Sequence, residues 1–277
     1  MKRVLILVNP EKPGAREMSE SLCPWLADRA AAEVMDLGVG PIAGTPDLVV
    51  VLGGDGSILR AARMLEGREI PVVGINLGKL GYLAEFSADV FREQFADILA
   101  GRANVSRRLM LSARCERAGG PAGEHLVLND VILAGGKSHR MVDVAVSVDG
   151  EAVTTYYGDG VIVSTPTGST AYCLGAGGPI LAAGLQAMVI VPICPHSLTH
   201  RPIVLRPDCE VVLVPGGLQK EAVCVADGQE QVRMSAGDRL VVRRASASFL
   251  LVQRGRQEAF ATLSHKLHWG HGPKYSA

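Results

Sequence analysis

The chain has 277 residues, enough for one large or two medium domains and too few for three. Apolar residues make up 48% and charged residues 20%, which excludes a disordered chain; 28 basic against 28 acidic residues leave no net charge to draw it to nucleic acid or an anionic membrane. Six scattered cysteines (Cys23, Cys115, Cys173, Cys194, Cys209, Cys224) form no C-x-x-C pair, so neither a disulfide framework nor a zinc site is expected, and a reducing, cytoplasmic compartment fits them.

The apolar run Val4 to Val8 ends at Asn9-Pro10, well short of a signal peptide or a membrane span, and reads as a buried strand. The pattern then predicts a helix near 15–33, a strand over 47–52, a helix over 57–66 and a strand over 70–75. Continuous apolar strands such as Leu48 to Leu52 lack inside/outside alternation, as parallel strands covered on both faces do. The expectation is an α/β first domain, Rossmann-like, with a parallel sheet. After Gly101-Arg102-Ala103-Asn104 the grammar becomes strand after strand. Turn signals stand at 118–121, 134–136, 148–150, 215–217 and 236–238, and Val142 to Val148 alternates with period two. A boundary near 103 is expected, with 1–103 the α/β nucleotide-binding domain and 104–259 a β-rich domain. The helix-like piece Ala259 to Leu267 can pack on either one.

Gly53-Gly54-Asp55-Gly56-Ser57 follows a buried strand and opens a helix, aiming backbone N–H groups and a helix N-terminus at one spot. Such a loop suits phosphate. A carboxylate beside phosphate is repulsive unless it binds a metal or accepts a proton, so Asp55 reads as chemical; the alternative is a plain helix N-cap. Leu59 stands where a dinucleotide fingerprint needs glycine, and no Walker loop is present. Asn76 to Leu83 also follows a strand and serves equally as ligand loop or turn.

Gly158 to Tyr172 is a strand that empties into a hydroxyl-rich turn. Its Ser, Thr and Tyr groups can hydrogen-bond sugar hydroxyls while the Tyr172 ring stacks on a base, or they can cap their own turn; both readings stay open. His196 and His200 have helical metal-ligand spacing, but prolines bracket them and no Glu follows His196, so zinc is not expected.

Taken together, GGDGS, NLGKLGYLAEF (76–86), LND (128–130), GDGVIVSTPTGSTAY (158–172), AGGPI, CPHSLTHRPIVL and ATLSHKLHWG resemble the NAD kinases over nearly the whole chain. GGDG alone is shared with lipid kinases, whereas STPTGSTAY at this distance from it is specific. The resemblance implies NAD bound between an α/β and a β-rich domain, with 260–277 packing back on the first. It also implies transfer of the γ-phosphoryl group of ATP or polyphosphate to the adenosine ribose 2′-hydroxyl of NAD, a divalent metal (Mg2+ or Mn2+), and a homodimer or homotetramer.

By the same resemblance Asp55 is the proton acceptor and, with Gly56 and Arg60 beside it, belongs to the NAD-binding positions, while Gly53, Gly54, Gly56 and Ser57 form the ATP phosphate loop. Asn129 and Asp130 match an NAD-binding pair that is more often Asn-Glu, and Asp159, Thr170, Ala171, Tyr172, Cys173, Leu174, Gly175 and Gln229 match dinucleotide positions. Arg140 and Tyr157 align with NAD-binding positions of variable identity; many members carry Arg where Tyr157 stands. No metal ligand is assigned. The rival readings are a lipid kinase, which the hydroxyl-rich corner opposes, and a silent NAD(H) sensor, which would not need Asp55.

Overall fold

A computed structural model describes all residues except 79, 80, 118, 119, 137–140, 218–220, 256, 257, 268 and 270–277. The chain forms two compact units. The first holds 1–64, 70–106 and the described residues from 250 onward; the second holds 65–69 and 107–249.

The first unit runs β1 (Arg3–Val8), α1 (Ala15–Ala27), β2 (Ala31–Asp36), β3 (Leu48–Gly53), α2 (Asp55–Met64), β4 (Val72–Asn76) and α3 (Ala88–Leu99). The strands pair in parallel in the order β2-β1-β3-β4. Every residue of β3 is buried, as the unbroken apolar run requires of a strand covered on both faces. Val4, Ile6, Val8, Val50, Leu52, Val73 and Ile75 share one apolar cluster with Leu22 and Leu26 of α1 and with Phe91, Phe95 and Ile98 of α3. Ser87 caps α3 by accepting the Val90 N–H at 3.3 Å.

Two elements differ from the sequence pattern. The expected helix near 15–33 ends at Ala27, and Ala31–Asp36 is an edge strand whose first four residues are exposed. An edge strand facing solvent carries no apolar run, so Ala31-Ala32-Glu33 reads as helix by composition. The helix α3 has no counterpart among the expected elements.

The second unit contains β5 (Asn104–Arg117, from residue 107 on), β6 (Gly120–Val127), β7 (Asp130–Gly135), β8 (Val142–Val148), β9 (Glu151–Gly158), β10 (Gly160–Ser164), a 3-10 turn (Gly168–Thr170), α4 (Tyr172–Gly175), β11 (Met188–Ile193), β12 (Ile203–Leu205), β13 (Val211–Pro215), β14 (Ala222–Ala226), β15 (Glu230–Met234) and most of β16 (Arg239–Gln253). One sheet joins β16, β13, β8 and β9, with β5 attached to β16 and β6 to β5. The other has the order β12-β11-β10-β7-β14-β15. Their inner faces meet in a cluster that includes Leu111, Leu133, Val144, Tyr156, Val161, Leu213 and Val242. Ile132, Ile162, Val189, Val191 and Ile193 point the opposite way and pack with Cys173 and Leu181, so β10 and β11 are buried throughout. The β8–β9 hairpin turns on Asp149 and Gly150 at φ 51° and 82°, matching the expected turn at 148–150.

The end of β16 lies in the first unit, where Leu251 pairs in parallel with Val72 of β4, and α5 (Glu258–Leu267) follows it there. The turn signal at Gly101 marks where β5 starts; the division of the chain falls a little later, after Ser106, inside that long strand. Among the described residues no helix is long and apolar enough to cross a membrane.

Candidate active site

The order β2-β1-β3-β4 changes direction between β1 and β3, and ligands of open α/β sheets collect outside the carboxyl ends of strands at such a reversal. Asn9 stands just past β1, and Gly53-Gly54-Asp55 joins β3 to α2. The Asn9 amide donates to Ser57 Oγ at 3.0 Å and ties the two connections together. The Gly54 carbonyl accepts the N–H groups of Ser57 and Ile58, and the space where side chains at Gly54 and Gly56 would stand is open. A helix N-terminus bared in this way suits an anion.

Asp55 begins α2, yet its carboxylate reaches across to the β4–α3 loop. Oδ2 accepts the Tyr82 N–H at 2.8 Å, and Oδ1 accepts those of Leu83 and Ala84 at 3.0 and 3.2 Å. A Cβ at Gly81 would collide with Asp55 Oδ1, so the approach requires glycine there. Burial and the Asp55 charge both push the Tyr82 phenol up, and Lys266 of α5 covers the Tyr82 ring, 4.1 Å from its centroid. Arg60 lies one turn along α2, half-buried beside Gly38.

A second constellation stands in the β-rich unit. Asn129 and Asp130 open β7, and Asp227 and Gln229 lie in the β14–β15 turn. The Asp227 carboxylate accepts the backbone N–H groups of Leu128 (3.0 Å), Asn129 (2.7 Å) and Asp130 (3.3 Å). Asp130 is buried directly opposite Ser164 of β10; burial first, and then the Asp227 charge, pushes its carboxyl up to about 7. Burial likewise drives the Cys173 thiol to about 11.

The hydroxyl-rich turn is largely self-satisfied. Thr165 Oγ1 donates to the Leu128 carbonyl at 2.6 Å and accepts the Gly168 N–H at 3.1 Å, Ser164 Oγ donates to the Asn129 carbonyl, and Ser169 Oγ donates to the Pro166 carbonyl. A Cβ at Gly168 would strike the Asn129 carbonyl, so the turn lies flat on the Asn129 backbone. For these three hydroxyls the capped-turn reading holds. Thr167 Oγ1 is buried with no hydrogen-bond partner among the described residues.

Tyr172 alone of the run projects a large exposed ring, 53% accessible. It lines a cavity of about 300 Å³ with Asp159, Gly135 and an apolar floor of Ile132, Ala134, Ile193 and Val225. This lower end of the size range for small-molecule sites suits one planar ring system. The Asp159 carboxylate also faces Cys194 and pushes that exposed thiol up.

The expected residues thus fall into groups. Gly53, Gly54, Asp55, Gly56, Ser57 and Arg60 gather at the start of α2; Asn129, Asp130 and Gln229 gather about Asp227; Asp159 and Tyr172 share the cavity, with Thr170, Ala171, Leu174 and Gly175 on the adjoining turn and helix and Cys173 buried beneath. Tyr157 is exposed on β9 and does not line that cavity. Arg140 and residues 79 and 80 of the 76–83 loop lie outside the described residues. Asn9 and the four apolar floor residues are not singled out by the sequence motifs, and Asp227 enters them only as the neighbour of Gln229 in Asp227-Gly228-Gln229. Asn9 was detectable as the polar residue closing the first parallel strand. The floor residues sit in ordinary strands and give no such signal.

The model of the ATP-NAD kinase N-terminal domain matches residues 42–103, and that of the ATP-NAD kinase C-terminal domain matches residues 128–254. The NAD kinase of Geobacter metallireducens is 39% identical over 281 residues, covering 98% of this chain and 99% of its own. That of Heliobacterium modesticaldum is 39% identical over 282 residues, covering 98% and 100%. The structure of an NAD kinase from Archaeoglobus fulgidus in complex with ATP aligns with TM-score 0.77 at 26% identity over 97% of this chain and 99% of that one. The yeast NADH kinase complexed with NADH shares the fold, with TM-score 0.91 at 24% identity over 100% and 90%.

Proposed function

The chain belongs to the NAD kinase family and is a phosphotransferase, and on that premise we propose that Asp55 accepts the proton of the adenosine ribose 2′-hydroxyl of NAD as that oxygen attacks the γ-phosphorus of ATP. The ribose O–P bond forms, the bond from the γ-phosphorus to the β–γ bridging oxygen breaks, and ADP and NADP leave. The observation that carries this reading is the setting of Asp55, at the first turn of α2 beside the strand-order reversal, with three backbone N–H groups on its carboxylate. A carboxylate offers about four acceptor positions. The loop takes three, which fixes the group and leaves one for an incoming hydroxyl.

Gly53, Gly54, Gly56 and Ser57 with the N-terminus of α2 then hold phosphate oxygens, and Arg60 adds a cation one turn away. In the β-rich unit the cavity takes a base of the dinucleotide, its ring against Tyr172 and an exocyclic amine toward Asp159, while Asn129 and Asp130 serve ribose hydroxyls. Thr170 to Gly175 border that ligand, as do Gln229, Tyr157 and Arg140.

Among the described residues no group of three His, Cys, Asp or Glu side chains could hold a metal ion. The acceptor positions of Asp55 and Asp227 are largely occupied by backbone N–H groups. A resident all-protein metal cage does not fit this donor set. A divalent cation brought in on ATP would be compatible with this donor set and would supply neutralisation of phosphate charge.

The test is NADP formation from NAD, ATP and magnesium, repeated with NADH and with polyphosphate. Asp55→Asn loses the basicity and also turns its NH2 toward the Tyr82 N–H or those of Leu83 and Ala84, so turnover is expected to fall by about 10² to 10⁴ or more, with NAD affinity, held in the β-rich unit, little changed. Near-parental turnover would refute the role. Neither a lipid kinase nor a silent NAD(H) sensor draws support from the comparisons. The six free thiols fit a cytoplasmic enzyme, and a homodimer or homotetramer is the assembly to look for by sedimentation.

A further inference from the structure

The three residues Leu128, Asn129 and Asp130 have all six of their backbone polar groups held. Their N–H groups converge on the single carboxylate of Asp227. Thr165 Oγ1 bonds the Leu128 carbonyl, Thr165 N–H and Ser164 Oγ bond that of Asn129, and the Asp227 N–H donates to that of Asp130 at 2.9 Å. Asp227 does this from φ 49°, the left-handed region that non-glycine residues enter at some cost. A hairpin turn needs none of these bonds. Asp-Gly would close the β14–β15 hairpin with its side chain in solvent, yet Asp227 is only 6% exposed.

We propose that Asp227 is the positioning residue of this site: its carboxylate sets the backbone from which Asn129 and Asp130 reach the dinucleotide, and its charge bears on Asp130. The inference rests on the proposed NAD-binding role of those two residues. A carboxylate is required because the three donors approach both of its oxygens; an amide would turn its NH2 toward the Leu128 N–H or toward those of Asn129 and Asp130.

The groups facing Asp130 are Asp227 from the β14–β15 turn, the Ser164 hydroxyl from β10 and the Cys173 thiol from α4. Burial, and then the Asp227 charge, raises the Asp130 carboxyl, so Asp130 holds a proton below neutrality. Burial contributes more to that than Asp227 does, and its carboxyl sits at about 7. The charged form accepts a ribose hydroxyl bond that the protonated form lacks in part. NAD affinity therefore falls as pH drops through neutrality.

The experiment is calorimetric titration of the full chain with NAD from about pH 5.5 to about 8.5. Expected for the parent is affinity that rises with pH, with a midpoint near neutrality. Asp227→Asn is expected to weaken binding roughly ten- to hundredfold and to move the midpoint to lower pH. A merely structural role would weaken binding and leave the midpoint in place. Asp130→Asn keeps the Asp227 clasp and removes the titrating group, so it is expected to bind NAD with no pH dependence in this range. Parental affinity or an unmoved midpoint in a folded Asp227→Asn protein overturns the proposal. If that variant does not fold, parental pH dependence in Asp130→Asn overturns it. A parent that phosphorylates and binds NAD shows that only this inference failed; a parent that binds no NAD at any pH refutes the underlying site as well.

Discussion

Asp130 shows how a single buried carboxyl would couple the proposed binding site to stability. Its carboxyl rises from an ordinary 3.8 to about 7, so the protonated form is the one the fold favours. The favourable balance is complete below pH 3.8 and is lost as pH climbs toward 7, an interval worth at most roughly 4 kcal/mol. Asp130→Asn is therefore expected to melt higher than the parent at about pH 8 and close to it at about pH 4, measured as the difference in Tm across that range. Asp55, Asp159 and Tyr172 are legible as proposed site residues because the motifs single them out. Asp227 is not, because Asp-Gly is the ordinary signature of a hairpin turn and nothing in the letters reveals that its side chain faces inward. The hydroxyls of Ser164, Thr165 and Ser169 show the reverse: they invite a ligand in the sequence, and the structure binds them to their own backbone.

At the level of elements, burial decides what can be read. The strands β3, β10 and β11 are covered on both faces and stand out as apolar runs. The edge strand β2 presents Ala31, Ala32, Glu33 and Val34 to solvent and cannot be told from helix. The helices α1 and α3 are fastened to each other by rings: Trp25 of α1 stands edge-on to Phe95 of α3 at 5.1 Å and tilted against Phe91 at 6.3 Å. Phe91 is fully buried, so Phe91→Ala is expected to destabilise the protein by about 3 to 5 kcal/mol. Denaturant unfolding would read this as a lower midpoint at unchanged slope, and a loss under about 1 kcal/mol would show that the cluster is not what holds α3.

At the level of the whole chain, the α/β unit is discontinuous. It opens at residue 1, is interrupted by the long 107–249 insertion, and resumes at 250 to supply Leu251 beside Val72 and α5 beneath its loops. A composition shift marks where the grammar changes, but no local pattern announces that Leu251 will return to pair with Val72, 179 residues earlier; that pairing is long-range. A fragment ending at residue 106 is expected to lack a cooperative thermal transition, whereas the full chain has one. A sharp transition in the fragment would show that the segment from 250 is dispensable.

Lys266 rests on Tyr82, and the Tyr82 N–H grips Asp55. Translation reaches Lys266 only after the entire β-rich unit has left the decoding site. The loop that orients the proposed proton acceptor therefore waits for its Lys266 cover until α5 has been made. A chain truncated before residue 258 loses the Lys266 cover of Tyr82 and is expected to turn over ATP more slowly than the full chain.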